Sequence, residues 1–180
     1  NQNNIKNLIA KTIKKFGKID ILINNAGVCL DSKFEDISID NLKTTFNINL
    51  FAPIMLIKAS LPYMKKNNFG RIINISSGGS INCAKYFTTY SASKASLNTI
   101  SKSLTQELKK FNIKINTFSP GPCKTKMFPN NPLSPSLCIP SLKKLFSKSK
   151  SSTSGEFFWF NKKINIIPKI KIDWSKPNIK

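Results

Sequence analysis

Tyr90 and Lys94 stand four residues apart in Tyr90-Ser91-Ala92-Ser93-Lys94, and Ser77 lies thirteen residues upstream. Residues i and i+4 share one face of a helix, so a phenol and an ammonium spaced this way point into one site. A free phenol titrates near ~10 and is a poor acid–base catalyst at neutral pH. A cation about 4 Å away favours the phenolate by roughly 4 kcal/mol at an effective dielectric near ~20. That coupling predicts a Tyr90 phenol drawn down toward neutral pH, where proton transfer is most effective. The Ser77 hydroxyl would be free to hold a carbonyl or alcohol oxygen beside it. Taken alone, the spacing is weak in a chain this rich in lysine, because an exposed helix face gives the same pattern. Its weight comes from the elements around it.

Ile5, Leu8, Ile9 and Ile13 recur at helical spacing over residues 4–16, and Gly17 follows as a stop. Residues 19–23 form a short apolar run that ends in Asn24-Asn25-Ala26-Gly27, the pattern of a buried strand and a tight loop. A long helical stretch covers 39–66. A second strand spans 71–75 and ends in Ser76-Ser77-Gly78-Gly79. A helix over 89–111 is expected to bury Ala95, Ile100, Leu104, Leu108 and Phe111. A third strand, 113–118, ends at Ser119-Pro120-Gly121. Beyond it come a proline-rich loop over 122–134 and a helix near 135–147 damaged by Pro140. A polar linker over 147–154 leads to an apolar strand over 156–160. Strands separated by helical crossovers pair in parallel, with right-handed connections. In open parallel sheets ligands bind beyond the carboxyl ends of the strands. Asn25, Ser77 and Gly121 all fall there, and the Tyr90 helix begins on the same edge.

The 180 residues are enough for one domain with a real core. Histidine is absent, which excludes histidine-based triads and histidine metal sites. Cys29, Cys83, Cys123 and Cys138 show no Cys-x-x-Cys spacing, so neither a zinc site nor a redox pair is expected, and no metal is assigned. Reduced thiols, no run of eighteen apolar residues and no stretch that reads as a secretory signal make the cytoplasm the expected compartment, with no membrane partner. The formal charge of +21 raises the alternative of nucleic-acid binding. Nearly all of it is lysine, Arg71 being the single arginine, whereas base and phosphate recognition favours arginine. Nucleic acid is therefore not the expected partner, although a basic surface can steer an anionic cofactor or substrate.

In order and spacing these pieces resemble the short-chain dehydrogenase/reductase family. The matching residues are Asn24-Asn25-Ala26-Gly27 after a strand, Ile48-Asn49-Leu50 in a helix, Ser77 after the next strand, Tyr90 to Lys94, and Pro120-Gly121 after the third strand. The match runs to about residue 127 and more loosely through Phe160. The resemblance implies an α/β, Rossmann-like doubly wound parallel sheet. Residues 1–160 would be the C-terminal part of a single such domain and 161–180 a basic tail. It also implies hydride transfer between NAD or NADP and a carbonyl or alcohol, with an acyl thioester as one possible substrate. Tyr90 would be the general acid/base, Lys94 its tuning partner and the holder of the nicotinamide ribose, and Ser77 the hydrogen-bond partner of the reacting oxygen. Asn25, Ala26, Gly27, Pro120, Gly121, the Cys123 backbone and Thr125 would line the cofactor pocket. A homo-oligomer is implied for the full-length form.

Asn49 is followed four residues later by Pro53, which has no N–H to give its carbonyl. A kinked helix with a free Asn49 carbonyl holding a water is expected, a role the resemblance assigns to catalysis. The family's glycine-rich phosphate loop has no counterpart here, so the opening β-α-β-α portion is expected to be absent and the chain to be a piece of a longer protein. A non-catalytic fragment or interaction subunit with the same half-fold is the competing reading.

Overall fold

Isoleucine-rich runs make the centre of a sheet. β-branched residues suit a pleated surface, and strands apolar on both faces are those covered on both sides. β2 (Gly70–Ile75) and β3 (Ile113–Ser119) are of this kind and are almost wholly buried. In the computed structural model, which describes residues 2–30, 32–148 and 153–166, five strands lie in sequential order. β1 (Ile21–Asn24) pairs in parallel with β2, β2 with β3, and β3 with β4 (Phe157–Trp159). β5 (Lys162–Ile164) then turns back antiparallel against β4. A basic tail from residue 161 is thus corrected: 162–164 belong to the sheet, which is mostly rather than wholly parallel. Residues 167–180 lie outside the described residues.

Side chains alternate across a strand, so Ile72 and Ile73 serve different cores. On one face α1 (Gln2–Phe16) and α3 (Ala52–Lys66) pack Ile9, Ile57 and Met64 onto Ile72, Ile113 and Ile115. On the other face Leu145, just past α6 (Ile139–Lys144), joins Ile73 and Phe118. α1 ends where Gly17, at φ +74°, donates its N–H to Ile13 O at 2.8 Å, the left-handed stop for which glycine is suited. Its apolar stripe is only partly covered: Ile9 is buried, whereas Leu8 is 56% exposed. Ile21 and Ile23 on β1 are also exposed, because no described helix covers that face of the edge strand.

The long helical stretch is three pieces laid end to end. α2 (Ile39–Phe46) starts at Ser38, whose hydroxyl accepts the Asn41 N–H at 3.1 Å. A π-turn over Asn47–Phe51 then leads into α3. Pro140 does not damage the helix near it. It sits in the first turn of α6, after a 3₁₀ turn over Pro135–Cys138, where a missing N–H costs nothing. α5 (Thr88–Glu107) differs from expectation on its inward face. Ala95, Ile100, Leu104 and Phe111 are only half-buried, and Leu108 is buried at the cap. The residues turned inward are Thr89, Tyr90, Ser91, Ser93, Lys94, Leu97, Asn98 and Ser101. A mostly polar face can be buried because loops and strands supply its hydrogen bonds.

Arg71 is fully buried at the start of β2, and burial lowers its pKa. Its Nε donates to Ser147 O at 2.6 Å, Nη1 to Gly70 O and Asn112 O, and Nη2 to Asn112 Oδ1 at 3.2 Å. The guanidinium also lies over the Phe69 ring, 4.4 Å from its centroid. It thereby ties the amino end of the sheet to the chain after α6. Arg71→Ala should lower unfolding free energy by about 3 kcal/mol, since several buried carbonyls lose their donor. Arg71→Lys should recover little, because an ammonium lacks the planar fork. Urea denaturation of the three proteins checks both.

Candidate active site

The parallel register brings three strand ends to one edge. β1 ends at Asn24, β2 at Ile75 and β3 at Ser119, and α5 starts beside them. Buried polar side chains hold these ends together. Asn24 Nδ2 donates to Asn74 Oδ1 at 2.7 Å, and Asn74 Nδ2 donates to Ser101 Oγ at 2.8 Å.

Ser77 sits on a tight turn that opens α4 (Gly79–Asn82). Its hydroxyl accepts the Gly79 N–H at 3.1 Å, and its carbonyl accepts the Ser80 hydroxyl at 2.6 Å. Ser80 Oγ in turn accepts Asn98 Nδ2 from α5 at 2.9 Å. The helix that carries Tyr90 therefore also anchors the turn that carries Ser77. The two candidate side chains come together: the Ser77 hydroxyl is near enough to the Tyr90 phenol to draw its pKa down.

The electrostatics of the pair differ from expectation. Burial pushes the Tyr90 phenol above its ordinary value, the Ser77 hydrogen bond draws it back in part, and nearby Cys29 pushes it up further. Lys94 does not bring it down. Its Nζ donates to Ile75 O at 2.8 Å and lies 5.8 Å from the Tyr90 ring centroid. Burial also lowers the Lys94 pKa from 10.5 to about 8. Removal from water disfavours both charged forms, and burial is the largest cause of each shift.

Asn49 is fully buried in the π-turn. Pro53 follows this wider turn, in which the Ala52 N–H reaches Asn47 O. The Asn49 side chain clamps the loop after β1. Its Oδ1 accepts the Val28 N–H at 2.9 Å, and its Nδ2 donates to Val28 O at 2.8 Å and to Ser93 Oγ at 3.1 Å. Gly27 next to it is approached closely by the Asn49 and Lys94 side chains. A Cβ there would lie 3.3 Å from Asn49 Oδ1 and 3.4 Å from Lys94 Nζ. Asn25 and Ala26 are exposed on the same loop.

After β3, Pro120 is half-buried and Gly121 takes φ +71°. A side chain at Gly121 would run into the Phe160 ring. Cys123 is buried, whereas Thr125 is exposed with its Oγ1 accepting the Phe128 N–H at 3.1 Å. The structure connects this segment to Tyr90 through rings instead. Phe128 stacks on Phe87 at 6.2 Å, and Phe87 meets Tyr90 edge-on at 6.3 Å. Sequence reasoning passed over Phe87, Phe128, Cys29, Ser80, Ser93 and Asn98. Only Ser93 and Asn98 carried a signal, lying three and eight residues after Tyr90 on the same helix face.

The family model described as short chain dehydrogenase matches residues 1–134. An uncharacterized oxidoreductase of Staphylococcus epidermidis is 34% identical over 126 residues, covering 70% of this chain and 55% of that protein. One of Staphylococcus aureus is 36% identical over 121 residues, covering 67% and 52%. A short-chain dehydrogenase structure from Streptomyces avermitilis is similar with TM-score 0.67 at 34% identity, covering 71% of this chain and 47% of that one. The chain spans about half the length of these relatives. With a family model matched along most of its residues, and with that model's fold in place, the chain belongs to the short-chain dehydrogenase family.

Proposed function

We propose that this chain carries the proton-transfer side of an NAD- or NADP-dependent oxidoreductase acting on a carbonyl or alcohol. The observation that carries this reading is the Ser77 hydroxyl acting on the buried Tyr90 phenol, with Lys94 Nζ close to the bare Gly27 backbone. The chemistry there suits the ribose of a nicotinamide nucleotide: the Gly27 backbone is bare of a side chain and an ammonium donor lies beside it. The nicotinamide, when bound, supplies or takes the hydride. Tyr90 gives its phenolic proton to the carbonyl oxygen in reduction and takes it back in oxidation. Ser77 donates a hydrogen bond to the same oxygen, which directs the carbonyl toward the phenol. Lys94 would hold the ribose, with Asn25, Ala26 and Gly27 beside it. Pro120, Gly121 and the Cys123 backbone would pack against the nicotinamide, and Thr125 would anchor its carboxamide or phosphates.

The substrate enters from the side lined by Lys33, Phe34, Glu35, Cys83, Lys85 and Tyr86, an open cleft of about 490 Å³. Residues 83–86 and Thr88, from the segment between Ser77 and Tyr90, form one wall of it. Its width suits an extended body, such as the acyl part of a thioester, as well as a compact carbonyl. The four free thiols accord with a reducing compartment.

The catalytic reading is tested in a chimera that joins the family's amino-proximal β-α-β-α portion, taken from a staphylococcal relative, to this chain. Turnover with NADH or NADPH should appear across a carbonyl panel. Tyr90→Phe should lower it by about 10²–10⁴, the usual worth of a positioned acid/base. Near-normal turnover by the variant would remove Tyr90 from the chemistry. The chain by itself should show no turnover, because it has no glycine-rich loop to cradle a pyrophosphate.

Lys94 also leaves a mark on stability. Its folded pKa of about 8 lies below the ordinary 10.5, so the unfolded state binds more protons between pH 8 and 10. Stability from this group therefore rises with pH across that window, and below pH 8 the penalty is on the order of 3 kcal/mol. Above pH ~10 the raised Tyr90 pKa acts the other way, since the unfolded phenol ionises first. Lys94→Met should stabilise the chain near pH 7 and flatten the rise between pH 8 and 10. Urea midpoints of both proteins across pH separate this effect from repulsion among the other lysines. Equal slopes would mean that the ammonium carries no burial penalty.

A further inference from the structure

Ser93 and Asn49 are both fully buried, on different elements, and their side chains meet at 3.1 Å. Ser93 Oγ also donates to Tyr90 O at 2.7 Å. A serine hydroxyl has one proton, and this one is committed to the carbonyl, so toward Asn49 it can only accept. That decides which end of the Asn49 amide faces it. Nδ2 turns to Ser93, and the remaining Nδ2 proton and Oδ1 are left for Val28 O and the Val28 N–H. The flipped amide would set oxygen against the serine lone pairs and N–H against N–H at Val28.

We propose that Ser93 is a positioning residue: through the Asn49 amide it holds the Gly27–Val28 backbone at a set distance from Lys94. Ser93 and Lys94 are neighbours on α5. Lys94 Nζ and Asn49 Oδ1 are both within 3.4 Å of where a Gly27 Cβ would stand. One turn of α5 thus presents the ammonium and, by way of Ser93 and Asn49, fixes the loop backbone next to it. Removing the Ser93 hydroxyl leaves a buried Asn49 N–H without its acceptor, and only the two Val28 bonds then orient the amide. The Gly27–Val28 backbone then loosens while the fold, held by the strands, stays in place. Its meaning as a ribose contact rests on the proposed function, but the coupling itself does not.

Amide hydrogen exchange on the isotopically labelled chain tests this without any cofactor, so it stands or falls apart from the dehydrogenase reading. Ser93→Ala should speed exchange at the Val28 amide about tenfold, the worth of one hydrogen bond. The Ile73 amide, in the centre of the sheet, should not change. Asn49→Ala should speed Val28 exchange by at least as much, and adding Ser93→Ala to it should change Val28 no further. The proposal fails if Val28 exchange is unaffected by Ser93→Ala, or if Ile73 speeds up in step with it. It also fails if the two substitutions act additively, for then Ser93 does not work through Asn49.

Discussion

Asn74 joins two neighbours in the buried middle of the sheet, accepting from Asn24 on β1 and donating to Ser101 on α5. It has no exposed surface, so each of these bonds replaces water that the site cannot admit. The Asn24–Asn74 bond fixes the register of β1 against β2, and the Asn74–Ser101 bond sets α5 over both. A slip of one residue would turn Asn74 toward the apolar core of Ile73, Phe118 and Leu145. With the register held, the loops after β1 and β2 emerge next to the start of α5. Val28, Ser77, Tyr90 and Lys94 meet because of it.

Around that anchor, burial rather than charge pairing governs the site. Tyr90 and Lys94 are almost enclosed, and their pKa values move in the directions that favour neutral forms. A site of this kind keeps the proton on the phenol until something stabilises the phenolate. Ser77 already does so in part. The polar inward face of α5 is the structural counterpart. Ser93, Asn98 and Ser101 each bond to another element, so the helix is oriented by directional contacts and less by apolar packing.

The surface is organised differently. Most of the +21 charge is lysine, which leaves the interior to a few polar groups. Lys94 and Arg71 are the exceptions, and Arg71 is a buried guanidinium at the amino end of the strands, away from the site. Its work is mechanical, closing the sheet against the chain after α6. Apolar surface is left at the outer side of β1, where Ile21 and Ile23 stand open, and on α1 at Leu8 and Phe16.

Much of the fold was legible in the sequence because it rests on local periodicity. Isoleucine runs marked β1, β2 and β3, and glycine and serine clusters marked their ends to within a residue or two. Tyr90, Lys94 and Ser77 were legible as a group because helix spacing and strand ends place them on one edge. Three things were not legible. The short β4–β5 hairpin lacks enough residues for a period, so residues 162–164 read as tail. The apolar positions of α5 suggested the wrong inward face, since hydrogen bonds to distant loops outweighed hydrophobic pattern there. The pKa directions needed distances: the sequence spacing put Lys94 near Tyr90, but the Ile75 carbonyl holds its ammonium elsewhere. Residue types and spacing along one chain thus determined the elements and the cast of the site. Desolvation and side-chain orientation depend on what the other elements bring from far along the chain, and only the tertiary structure decided those.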